Sequence, residues 1–221
     1  MYLRYIKHPF DMVFSLLALV VFLPIGLIIA VLIKLDSKGP VIFSHQRFGK
    51  DKKPFTIYKF RSMTTNAPRN APTNSLRNAA SHITRIGKIM RKLSLDELPQ
   101  LINVLRGEMS LVGPRPVVLR EIGLIAEREK YGANTCKPGI TGWAQVNGRD
   151  EVRMKKKAKM DGEYAGKLGP IMDMKCILMT VHAVLSIKGH KEGADDDNIE
   201  DVIWARDIQQ SYDIQRKREN G

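Results

Sequence analysis

The sequence predicts an α-rich α/β chain fixed to a membrane by its N-terminus. Three observations predict it: an uncharged apolar run over residues 12–33, two alternating β-rich runs around "GKDKK" at 49–53, and later segments with helical apolar spacing. A length of 221 residues suits one domain with an appendage.

The apolar run, "MVFSLLALVVFLPIGLIIAVLI", would reach about 33 Å as one helix, enough to cross a bilayer core. No small-residue cleavage site precedes Lys34, Asp36 and Lys38, which argues against a cleaved signal peptide. Pro24 lies near the middle, followed by Gly26, and its missing N–H and ring clash favour a break there. Arg4 and Lys7 precede the run, and Lys34, Lys38, Arg47 and Lys50 follow it, so the positive-inside rule assigns no direction to a crossing. Residues 1–38 are therefore read as a re-entrant helix–break–helix that dips in and returns, with a straight crossing as the alternative.

Lys plus Arg number 36 against 23 Asp plus Glu, a net charge of +13 that suits an anionic lipid bilayer or a phosphorylated substrate. No nucleic acid partner is expected, because aromatics are 7% of residues and no finger, RNP or helix-turn-helix signature accompanies the basic clusters. Cys136 and Cys176 are far apart in sequence with no metal-type spacing, which suggests a reducing, intracellular compartment.

Residues 39–188 form the body. "KGPVIFSHQRFGKDKKPFTIYKFRSM" reads as a hairpin, and residues 65–81 as a polar surface loop. In "SHITRIGKIMRKL", Ile83, Ile86, Met90 and Leu93 fall near one helical face with the basic residues largely elsewhere. Such a helix lies in the headgroup plane or packs on the core. Pro99 opens a helix over "PQLINVLRG" that ends on a glycine suited to the C′ position. A further helix is expected over roughly 117–130. The apolar stretch 171–187 reads as a core or membrane-surface helix in which His182 is packed rather than a ligand. Residues 189–221 read as an acidic linker, Asp195 to Asp197 included, and an amphipathic helix carrying Trp204, Ile208 and Tyr212.

Asp96 and Glu97 stand side by side among leucines. Ser94 followed by Glu97 has the form of a capping box, which would make the pair purely structural.

Taken together, "KGPVIFSHQRFGKDKKPFTIYKFRSM", "ITRIGKIMRKLSLDELPQLINVLRGEMSLVGPRP" and "KPGITGWAQVNGR" resemble the bacterial sugar transferase family, the monotopic phosphoglycosyl transferases, and in particular its small catalytic-core type. The resemblance covers roughly residues 5–187. It implies an α/β catalytic domain on the cytoplasmic face of the bacterial inner membrane, a re-entrant membrane helix and interfacial amphipathic helices. It also implies transfer of a sugar 1-phosphate from a UDP-sugar to undecaprenyl phosphate, giving undecaprenyl diphosphate sugar and UMP. The family dyad maps onto Asp96 and Glu97. Asp96 would be the nucleophile that forms a covalent phospho-sugar, and Glu97 a Mg²⁺ ligand. Lys59, Arg61, Arg115, Gln145 and Arg149 would contact phosphate and nucleotide, with a structural ion pair as the alternative for Arg61. Two departures stand out: Leu23 occupies the position before the membrane proline where members often carry Ser, and the tail beyond His190 matches nothing in the family.

Rival readings are direct attack by the lipid phosphate in a ternary complex, a sugar-only transferase releasing UDP, and a non-catalytic basic membrane-surface scaffold. The sequence names neither the sugar nor the pathway, and a homo-oligomer is compatible with it.

Overall fold

The computed structural model describes residues 1–67, 79–148 and 153–185. Arg149, the acidic linker and the helix expected at Trp204, Ile208 and Tyr212 lie outside the described residues.

No charge interrupts residues 12–33, and the segment folds within one long helix, α1 (His8–Asp36), after a π-helical turn at Leu3–Lys7. Pro24 lies inside α1, which continues across it. The helix is long and apolar enough to cross a membrane. Between its ends, side chains such as Val20, Leu23, Leu27 and Ile28 stand more than half exposed.

Both ends of α1 are fastened to the body. At the N-terminal end, Lys7 Nζ donates to Asp173 Oδ2 at 2.6 Å. There too, Asp11 accepts from Ser110 Oγ at 2.6 Å and from the Leu111 amide at 3.3 Å. At the other end, the Ile86 amide donates to Asp36 Oδ2 at 3.0 Å, and Ile29 and Ile33 bury against Phe60 and Met90. Ser15 is fully buried, and its hydroxyl has no partner among the described residues.

Alternating side chains build β1 (Ile42–Phe48) and β2 (Pro54–Phe60), which pair antiparallel with Ile42 opposite Phe60 and Phe48 opposite Pro54. The turn between them is "GKDKK", where Asp51 and Lys52 take positive φ of 53° and 62°. After α2 (Ala79–His82), Thr84 caps α3 (Arg85–Lys92) by accepting from the Gly87 amide at 2.9 Å. Met90 turns into the core with Ile86 beside it, while Ile89 and Leu93 stay exposed. Leu93, placed on the same face as Met90 by its spacing, is the residue that closes the helix and does not share its burial.

A 3₁₀ turn at Leu95–Glu97 leads through Pro99 into α4 (Gln100–Leu105), and Gly107 follows with φ of 75°, the left-handed closure its position suggested. The buried Asn103 stitches α4 to β2: its Oδ1 accepts from the Tyr58 amide at 3.1 Å and its Nδ2 donates to the Thr56 carbonyl at 2.7 Å. Next come β3 (Ser110–Val112), α5 (Ile122–Glu129), β4 (Gly139–Thr141), α6 (Trp143–Val146), α7 (Met154–Gly166) and α8 (Pro170–Leu185). Strands β3 and β4 pair in parallel. The α/β expectation thus takes the form of two two-stranded sheets among helices in the described residues.

Besides the break expected at Pro24, which α1 runs through, two further expectations change. The helix expected over 117–130 is shorter, because Val117 and Val118 are buried in extended chain and Val118 bridges to Arg47 of β1. His182 is exposed rather than packed. It lies one turn beyond Leu178 on the outward stripe of α8 with Ile171, Met174 and Val181, all exposed, while Met172, Asp173 and Cys176 face the core.

Both cysteines are free thiols, Cys136 half-buried and Cys176 fully buried. Burial pushes both up, Cys176 to about 11, which makes them poor nucleophiles at neutral pH. Replacing both with alanine is expected to leave turnover of the folded protein within about threefold of wild type. A folded double variant without activity would reveal a thiol role.

Candidate active site

The motifs converge because backbone packs on backbone. A Cβ on Gly139 would collide with the main chain of Gly113, and one on Gly142 with the Gly113 carbonyl. The Gly113 amide donates to Thr141 O at 2.8 Å, and the Gly139 amide to Pro114 O at 2.9 Å. This docking sets the "GPRP" run, with Arg115, against the "KPGITGWAQ" run, with Gln145. Arg115 is further held by Arg128, whose Nη2 donates to the Arg115 carbonyl at 3.1 Å. Arg128 is itself locked to Asp161 by a buried ion pair of 2.6 Å.

These elements surround a cleft of about 710 Å³. Asp96, Glu97, Lys59, Arg91, Arg115, Gln100 and Gln145 line its polar part, and Phe43, Phe60 and the Ala18 and Phe22 side chains of α1 line its apolar part. The cleft therefore joins an acidic pair to the apolar helix.

The two acids differ sharply. Lys59 Nζ donates to Glu97 Oε1 at 2.6 Å, and Arg115 Nη1 reaches the same oxygen at 3.1 Å. Burial opposes ionisation of Glu97, but Lys59 and then Arg115 outweigh it and hold the carboxyl well below the usual carboxylate range. Both of these contacts fall on Oε1, which leaves Oε2 the less encumbered oxygen. Asp96 is 8% exposed and has no hydrogen-bond partner among the described residues. Burial raises its pKa above the ordinary 3.8; Lys59 pulls it down, and the negative Glu97 pushes it up again. One acid is a fixed anion and the other a more basic carboxylate facing the cleft.

The capping box does not form. Ser94 takes the left-handed conformation, φ 57°, and its side chain makes no cap. The Glu97 carboxylate goes instead to two cations, whose charge-assisted bonds are stronger than a neutral cap.

Of the residues expected to contact substrate, Lys59, Arg61, Arg115 and Gln145 all line the cleft. Lys59 and Arg115 do so while bracing Glu97. Gln145 Nε2 donates to the Ile140 carbonyl at 3.1 Å, and its Oε1 is buried without a partner. Arg61 is 5% exposed, and its guanidinium donates to the carbonyls of Ile33, Ser37 and Lys38, so it caps the C-terminal end of α1. Its bonds are neither free phosphate contacts nor the ion pair held as the alternative. Among the lining residues that sequence reasoning did not assign to the site are Arg47, Arg91 and Gln100. Arg47 carried a signal, an alternating strand position pointing to the same side as Lys59 of the partner strand's motif.

The site is thus an acidic pair, one member braced by Lys59 and Arg115, on the wall of a half-apolar cleft. The chain belongs to the bacterial sugar transferase family, whose sequence model matches residues 2–187. It is 40% identical over 184 residues to the uncharacterized sugar transferase EpsL of Bacillus subtilis (strain 168), covering 83% of this chain and 89% of that protein. It is 40% identical over 191 residues to a UDP-glucose:undecaprenyl-phosphate glucose-1-phosphate transferase of Escherichia coli (strain K12), covering 80% of this chain and 40% of that protein. Over 194 residues it is 38% identical to a UDP-N-acetylgalactosamine-undecaprenyl-phosphate N-acetylgalactosaminephosphotransferase of Aeromonas hydrophila, covering 82% and 44%. The chain thus spans less than half the length of these last two relatives.

Proposed function

We propose that this protein moves a sugar 1-phosphate from a UDP-sugar to undecaprenyl phosphate through a phospho-sugar carried on Asp96. The observation that carries the reading is the division of labour between the acids: Glu97 is held anionic by Lys59 and Arg115, while Asp96 is more basic, unpartnered and open to the cleft. An Asp96 oxygen attacks the β-phosphorus of the UDP-sugar, the bond from that phosphorus to the bridging oxygen breaks, and UMP leaves. A phosphate oxygen of the lipid then attacks the same phosphorus and frees the carboxylate. Two half-reactions let one site serve two anionic substrates in turn. Arg115 and Lys59 supply positive charge where anions meet. The apolar wall from Ala18 and Phe22 suits the chain of a lipid acceptor. Relatives named for glucose and for N-acetylgalactosamine leave the sugar to experiment.

The donor set fits Mg²⁺, which commonly takes one or two protein carboxylates and completes its shell with substrate oxygens and water. Glu97 Oε2 and Asp96 are the carboxylate oxygens on offer, and no cluster of three or more ligating side chains occurs among the described residues. When bound, the ion would neutralise diphosphate charge. Glu97→Gln is expected to shift the Mg²⁺ titration of activity to higher concentration and to cut the rate about tenfold or more. An unchanged titration curve would remove Glu97 from the metal site.

The decisive assay supplies undecaprenyl phosphate in vesicles with a panel of UDP-sugars and resolves UMP from UDP. UMP supports phospho-sugar transfer. UDP would favour the sugar-only transferase, and no product with any donor would favour the scaffold.

The same reading places α1 in the bilayer as a re-entrant segment with both ends on the cytoplasmic side, where UDP-sugars are found. Support comes from its two fastenings to one body, its exposed apolar middle and the proline within it. Pro24→Leu is expected to restore the helix hydrogen bond that proline cannot make, favour a crossing helix and move the N-terminus outside in part of the population. A single Cys in place of Leu3, in a cysteine-free background, reads this with an impermeant thiol reagent on intact cells. Labelling of the unaltered segment from outside would show a crossing helix.

A further inference from the structure

We propose that Gln100 is a catalytic residue whose Nε2 donates a hydrogen bond to a non-bridging oxygen of the phosphoryl group passing through Asp96. The inference rests on the phosphoryl-transfer reading above. Gln100 is 2% exposed, lines the cleft one turn beyond Asp96 on the same helical run, and its Nε2 is buried with no partner. A buried amide N–H with no partner among the described residues is a donor that the protein itself leaves unsatisfied, and each such group calls for an explanation. Its neighbours in the cleft decide what it awaits. Asp96 and Glu97 are acceptors, and so are the oxygens of a diphosphate, so a neutral donor here matches an incoming phosphoryl oxygen. Unlike Lys59 and Arg115, which are engaged on Glu97, this donor is uncommitted. It exchanges no proton. It would stabilise charge that builds on the phosphoryl oxygens as the bond to Asp96 forms and breaks.

The test uses the full chain in lipid nanodiscs with undecaprenyl phosphate and the UDP-sugar that the wild type turns over best. Gln100→Met keeps the volume and removes the donor, and Gln100→Glu keeps the shape and replaces the donor with an acid. Rates are normalised to folded protein, and melting temperature is recorded in parallel. Expected for Gln100→Met is a fall in kcat of about 100-fold, with KM for the UDP-sugar changed less than about threefold. Gln100→Glu is expected to be as slow at neutral pH and to regain rate relative to wild type as the pH falls and an O–H donor returns. A purely structural role would lower the melting temperature and leave the normalised kcat alone. Normalised kcat of Gln100→Met within about threefold of wild type overturns the inference. If that variant does not fold, the same criterion applies to Gln100→Glu at neutral pH. Wild-type protein that releases UDP or no nucleotide sinks the phosphoryl-transfer reading and this inference with it. Wild-type UMP release with unaffected variants sinks this inference alone.

Discussion

Asp96→Asn is expected to lose at least about a thousandfold in turnover while folding as well as wild type or better. The amide preserves the shape but is too weak a nucleophile to take a phospho-sugar. Its effect on stability has the opposite sign. The folded-state pKa of Asp96 is raised above its unfolded value, so its protonated form is favoured by folding. That contribution is fully present below the unfolded pKa and is lost as pH rises through the folded one, so at neutral pH the ionised group is a burden. Asparagine lifts it, and the melting temperature should stay level or rise, a trade common at active sites. In wild type the same raised pKa places the acid limb of the rate profile above pH 3.8. Mass spectrometry of wild type with UDP-sugar and no lipid should show a phospho-sugar adduct that Asp96→Asn lacks. Activity above a few per cent in that variant would remove Asp96 as nucleophile.

The second large effect is expected at Asp173. One carboxylate gathers three donors: Tyr2 Oη at 2.6 Å, Lys7 Nζ at 2.6 Å and Tyr164 Oη at 2.7 Å. Burial, reinforced by Asp173, pushes both phenols well up, so they remain protonated donors. Asp173→Ala leaves the Lys7 ammonium buried, with Asp11 at 3.8 Å as its remaining ion-pair partner among the described residues. Breaking such a buried pair from one side costs about 3–5 kcal/mol. For a chain of this size that is a fall of about 10 °C in melting temperature. The start of α1 should also loosen, read as faster proteolysis near Lys7. Asp173→Asn keeps one acceptor for Tyr164 and should lose less. A melting temperature within about 2 °C of wild type for Asp173→Ala would show that the network is dispensable.

Much of this architecture could be read from local sequence. The hairpin follows from alternation around a five-residue polar turn, and α4 from Pro99 at its entry and Gly107 at its close. What escaped depends on partners distant in sequence. Arg61 resembles a substrate contact within "YKFRSM", yet its bonds go to carbonyls 23 to 28 residues earlier. Ser94 and Glu97 have the spacing of a capping box, but spacing cannot reveal that Ser94 is left-handed or that Lys59 waits 38 residues back. Asn103 gave no local sign that its amide joins a helix to a strand. The acids themselves were legible through their family motif, and the contrast between them was not, because it arises from which one the cations touch.

Arg61 also changes what α1 is for. Its guanidinium grips the end of the apolar helix, while two residues earlier, on β2, Lys59 grips Glu97. The middle of α1 supplies Ala18 and Phe22 to the cleft wall. A helix wired in this way is part of the cleft's construction and not a tether alone. Cutting it away to obtain a water-soluble catalytic fragment would open one side of the cleft, bare Phe60 and Met90 and free the Arg61 end of the strand that carries Lys59. Solubilisation strategies that keep α1 and shield it with lipid respect that construction, and those that trim it dismantle the reaction centre.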